Sequence, residues 1–126
     1  MNYARMVSTI GSLDFIPDHD TACSAIEAVL GMLLSRLDEN TAWFIAQSLP
    51  SPLTYERLRG HQKHETTIDI DTMLQGIRKQ FGLDARQAQI LINTVLHDAK
   101  GFLSHEQIRQ VEQALPLEWA ALVEVV

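Results

Sequence analysis

Ten basic side chains, sixteen acidic ones, five histidines and a lone Cys23 are the groups through which this 126-residue chain could do chemistry. The densest cluster is basic. Arg57, Arg59, His61, Lys63 and His64 fall within eight residues, against a formal net charge of -6 for the whole chain. Such a run makes a local positive field able to hold an anion or a phosphate-bearing small ligand. The competing explanation is helix-end complementarity, because cations are favourable near a helix C-terminus. Within the same stretch, His61, His64 and Glu65 of HQKHE would share a face if the segment were helical. A zinc site needs three or four protein ligands, Lys63 would repel the ion, and the HExxH pattern of zinc hydrolases is absent. No metal or other cofactor is expected.

The paired acids Asp18 with Asp20 and Asp69 with Asp71 do not sit in the twelve-residue calcium loop with its central Gly and closing Glu. Acids at helix starts, favoured by the macrodipole, explain them better. Serine and histidine occur, but no GxSxG elbow and no glycine-rich phosphate loop accompanies them. The expectation is a chain without enzymatic activity. Cys23 cannot form an internal disulfide and reads as a small buried apolar residue in a reducing compartment. The acidic balance opposes nucleic-acid binding, as does the lack of aromatics interleaved with basic residues. No leader-like start and no apolar run of about 20 residues is present, so no membrane contact and a cytoplasmic location are expected.

The elements that carry these groups emerge from an internal likeness. A shift of 66 residues places Ala22 on Ala88, Ile26 on Ile92, Val29 on Val95, Leu30 on Leu96 and Leu37 on Leu103. It also places Gln47 on Gln113, Leu49 on Leu115 and Pro50 on Pro116. These are eight identities in the 29 positions from 22 to 50, where chance would supply about two. Phe15 matches Phe81 and Asp18 matches Asp84 in the same register, and a one-residue slip pairs Met6 with Met73 and Ile10 with Ile77. The matched residues recur at i, i+3, i+4 and i+7, which is the apolar stripe of a helix. Asp18, Asp84, Asp38 and Ser104 stand where helix caps belong, and Gln87 and Gln107 complete two capping boxes. Leu-Pro at 49–50 and 115–116 ends a helix and opens a short closing one.

The predicted fold is all-α: two pseudo-repeated halves of three to four helices each, packed as one bundle. The halves cover 1–59 and 67–126 with a linker at 60–66. Helices are predicted at about 2–11, 19–36, 39–48 and 52–59, then 69–80, 85–101, 105–114 and 117–124. The strings AIEAVLGMLLSRL with IAQSLP, and ILINTVLHDAKGFL with VEQALP, resemble a bacterial family, the domain of unknown function 2267. The second half departs from its pattern, having Phe102 where the first has Arg36. The resemblance implies an all-helical fold and no particular activity.

Where the halves disagree, the first is apolar and the second polar. Met32 aligns with Asp98, Leu34 with Lys100, Trp43 with Arg109 and Phe44 with Gln110. On the third helix the shared core positions are 42, 45 and 49, and Trp43 and Phe44 point away from that stripe. Packing between the halves would explain them. The functional alternative is a protein contact through Trp43, Phe44, Met32 and Leu34, with another protein or with a second copy. An adaptor or interaction module is the expected function. Small-ligand or anion binding between the halves, through Arg57, Arg59, His61, Lys63 and His64, is the alternative.

Overall fold

The computed structural model describes residues 2–60 and 69–126. Among the described residues there are eight helices and no strand. Their order is α1 Tyr3–Gly11, α2 His19–Ser35, α3 Glu39–Ala46, α4 Tyr55–Gly60, α5 Ile70–Phe81, α6 Ala85–Lys100, α7 His105–Ala114 and α8 Leu117–Val125.

The starts are set by short acceptor side chains that satisfy free backbone N–H groups. Asn2, Asp18, Asp38 and Asp69 each accept from the backbone N–H three residues on, opening α1, α2, α3 and α5. Asp84 with Gln87 and Ser104 with Gln107 form reciprocal capping boxes on α6 and α7. Asp38 has no such reciprocal partner. Gly82 ends α5 with φ +65°, a left-handed turn that favours glycine, after Arg78 and Lys79 in the last turn.

The boundaries fall within two residues of the sequence expectation except at one helix start. Pro50 and Pro52 keep the chain in a turn, and the closing helix of the first half starts at Tyr55 instead of 52. Thr54 accepts from the Arg57 N–H at 3.2 Å and caps it. In the second half a single Pro116 leads directly into α8 at Leu117.

The core is centred on α2, which packs on α1, α4, α5 and α6. From Ala25 to Ser35 every residue of α2 is buried, the pattern of a helix enclosed on all sides. Its counterpart α6 buries one stripe, Ala88, Leu91, Ile92, Val95, Leu96 and Ala99, with Asp98 the buried exception in charge. The second half completes the enclosure of α2 that α1 and α4 begin: α5 lies across it, and a Cβ placed on Gly76 would sit 3.3 Å from the Met32 Cε. Further contacts run from α1 to α6 and from α3 to α7, so both halves feed one continuous core. Each fully enclosed Leu or Ile in it stabilises the fold by about 1.5–3 kcal/mol. Five of the pairs aligned by the 66-residue shift are buried at both positions: Ala22 and Ala88, Ile26 and Ile92, Val29 and Val95, Leu30 and Leu96, Ile45 and Val111. Leu37 and Leu115 are buried while their counterparts Leu103 and Leu49 are only half-buried.

Candidate functional site

Helix α3 turns Ala42, Ile45 and Ala46 inward. Ile45 meets Ile108 and Val111 of α7 around a small apolar cavity that Leu33 and Leu96 also line. Ser48, just past α3, accepts from the Gln107 side chain and ties the two helices together again. One face of α3 being committed to α7, the other faces out. Asn40, Trp43, Phe44 and Gln47 are all exposed there, at the i, i+3, i+4 and i+7 spacing of a single stripe. Trp43 is 52% exposed and Phe44 43%. Two aromatics therefore stand in water between two amides, with no charge on the stripe.

Met32 and Leu34 do not belong to this surface. Met32 is 9% exposed and Leu34 1%, because α2 is the helix enclosed on all sides and α5 covers Met32 at Gly76. Their apolar character reflects the core, and the four-residue patch reduces to Trp43 and Phe44. The two amides that flank them escaped the sequence reading. The signal was present, since residues 40 and 47 complete the same helical stripe, but amides carry no hydropathy signature.

The basic run fares differently. Residues 61–68 lie outside the described residues, and with them His61, Lys63 and His64 and most of the linker at 60–66. The Arg59 side chain is likewise not described. Arg57 is placed: its Nε and Nη2 donate to the two carboxylate oxygens of Glu27 on α2. The hydrogen bond and charge of Glu27 hold Arg57 even more firmly protonated than usual. A guanidinium paired in this way has part of its fork occupied, so Arg57, the first member of the expected anion site, is already engaged with an acid. Glu27 is buried, and a lone acid inside the apolar run AIEAVLGMLL was the available hint that a cation had to reach it.

Around this pair the α2 residues His19, Cys23 and Glu27 repeat every four positions on one face, with Tyr3 of α1 beside them. Cys23 is half-buried, and its Sγ lies 3.6 Å from the His19 Nε2. Burial, then hydrogen bonding to Cys23, push the Tyr3 phenol well above its ordinary value, so Tyr3 is a neutral structural group and no base. The acidic pairs act as caps. Asp18 accepts from the Thr21 hydroxyl and N–H, and hydrogen bonds from Thr72 do the same for Asp69, which lowers both carboxyls below their ordinary value. Among the described residues no three His, Cys, Asp or Glu side chains come together in a way that could hold a metal ion. No described helix is long and apolar enough to cross a membrane.

Fold and surface together define an all-helical protein built round a buried central helix, with an uncharged aromatic stripe on one short outer helix. The chain belongs to the family described as Uncharacterized conserved protein (DUF2267), whose model matches residues 3–122. That match bears out the resemblance read from the IAQSLP and VEQALP strings. No curated protein and no solved structure matches the chain.

Proposed function

We propose that the chain is a non-catalytic interaction module, a tandem of two related halves, that pairs with a second copy of itself through α3. The observation that carries this reading is the exposed stripe Asn40, Trp43, Phe44 and Gln47. Interface centres are enriched in aromatics and depleted in charge, and the stripe has both properties on a chain that is otherwise acidic. Its order is amide, aromatic, aromatic, amide, which reads the same from either end. Two copies laid antiparallel about a two-fold axis would stack the aromatics at the centre and place Asn40 opposite the partner copy's Gln47. Because the stripe is uncharged, the net charge of -6 on each copy is not concentrated at the contact.

A stripe of four side chains is smaller than the roughly 800 Å² per partner of a stable complex, so the pairing is weak and concentration-dependent. A cytoplasmic setting suits this reading, since the single Cys23 leaves the chain without an internal disulfide. The test is molar mass by sedimentation equilibrium, from about 1 μM to about 1 mM protein. The mass rises from 14.2 kDa toward twice that value as concentration increases. A mass that stays at that of one chain over the whole range overturns self-pairing, as does association that survives polar replacement of Trp43 and Phe44.

A further inference from the structure

Asp98 on α6 is a carboxylate in an unusual position. It is 5% exposed, and its Oδ2 is enclosed with no hydrogen-bond partner. Burial raises its pKa, and the charge of His97 only partly offsets the effect. An enclosed carboxylate without a partner is costly, and structures retain few of them. Its aligned counterpart in the first half is Met32, so the half-domain core does not require an acid there.

Asp98 lines an open depression of about 430 Å³ between α1, α6 and the end of α8, together with Thr9, Asn93, Thr94 and His97. The two threonines have already committed their donors. Thr9 donates its hydroxyl to the Arg5 carbonyl at 3.0 Å, and Thr94 donates to the Ile90 carbonyl at 2.7 Å. Both hydroxyl oxygens keep only acceptor capacity. The His97 Nδ1 is 2.6 Å from the Val126 backbone oxygen. An oxygen acceptor there requires a proton on Nδ1. Asn93, whose oxygen is taken by Gln89, adds a donor. A carboxylate and two acceptor hydroxyls match a ligand that is cationic and rich in N–H donors.

The geometry points to this depression as a binding site for the primary ammonium group of a small amine. The ammonium places its charge against Asp98 and divides its three N–H donors between the carboxylate and the surrounding acceptors. A metal ion is a poorer fit, because Asp98 is the one carboxylate side chain in the lining and the described residues group no three metal-ligating side chains. The site is separate from the α3 stripe, and its success or failure leaves the pairing proposal untouched.

The experiment is a titration of the full chain with n-butylammonium chloride, followed by backbone amide NMR shifts. Sodium butyrate and tetramethylammonium chloride serve as controls, the second carrying the charge without any N–H. Saturable shifts confined to Thr9, Asn93, Thr94, His97 and their neighbours are expected with n-butylammonium alone, with a millimolar Kd. Asp98→Asn, nearly the same shape, weakens binding at least about tenfold. Thr94→Val, which removes an acceptor and keeps the volume, weakens it less, and this second variant serves should the first fail to fold. The proposal is overturned by shifts that never saturate, by an equal response to tetramethylammonium, or by unchanged affinity in both variants.

Discussion

Helices α3 and α7, which the 66-residue shift of the sequence aligns, differ on their outer faces. Inside, Ile45 and Val111 are both buried. Outside, α3 shows Asn40, Trp43, Phe44 and Gln47, whereas α7 shows Glu106, Arg109, Gln110 and Gln113 at the same four steps. The outer face of α7 is what a solvated helix surface ordinarily looks like. That of α3 exposes two large aromatic faces to water without relief from the fold. The comparison separates two reasons for an apolar residue. Met32 and Leu34 are apolar because α2 is enclosed in the core, whereas Trp43 and Phe44 are apolar with about half of each side chain open to water.

The largest expected effect tests the first reason. Leu34→Ala on α2 should lower the unfolding free energy by about 2–5 kcal/mol, because it opens a cavity in the core. Lys100→Ala at the aligned place on α6 loses a hydrogen bond from its Nζ to the Val123 carbonyl, 2.8 Å long, and a partly buried stem. It should cost about 1 kcal/mol. Urea unfolding of the two variants measures the gap, and equal losses would mean that α2 and α6 are enclosed alike.

Helix starts give the next comparison. Ser104 takes part in a reciprocal capping box on α7, and Asp38 caps α3 alone. Ser104→Ala should cost about 1 kcal/mol, and Asp38→Ala less, both read from the urea midpoint. A larger loss at Asp38 would show that α3 depends on its cap more than on its packing against α7.

The smallest effect concerns pH and has opposite signs at different carboxylates. Asp98 has a raised pKa from burial, so the folded chain keeps a proton that the unfolded chain has released. Stability therefore falls as pH rises from the ordinary carboxylate value through the raised one, and the loss persists above it. Asp98→Asn should melt higher than the natural chain at pH 7, and the gain should vanish at about pH 3. Asp18 and Asp69 have lowered values through their bonds to Thr21 and Thr72. Their contribution is present at neutral pH and lost as pH falls through those lowered values. Thermal melts of the natural chain and Asp98→Asn across this range check both signs.

What was legible in the sequence follows from how local the physics is. Caps and stripes are read within one or two turns, so Asp18, Asp84, Ser104 and the apolar stripe of α6 fall where their spacing placed them. The start of α4 was misjudged because Pro50 and Pro52 together prolong the turn, and the cap at Thr54 carries no proline signal. Met32 and Leu34 were misread for a different reason. Whether the outward side of α2 meets water depends on where α5 docks, and no periodicity within α2 records that. The Glu27 to Arg57 pair spans 30 residues and was equally hidden, although a buried acid in an apolar helix implies some partner. The exposure of Trp43 and Phe44 was open until α3 had been placed against α7.

The most direct test exchanges the two outer faces. One variant carries Trp43→Arg and Phe44→Gln, giving α3 the outer pair of α7, and the other carries Arg109→Trp and Gln110→Phe. Both change exposed or half-buried positions, so urea midpoints should stay within about 0.5 kcal/mol of the natural chain for the first variant. Sedimentation equilibrium should show the first variant at 14.2 kDa at every concentration, while the natural chain and the second variant associate. If the first variant associates as the natural chain does, the aromatic stripe is not the contact and the functional difference between α3 and α7 is contradicted.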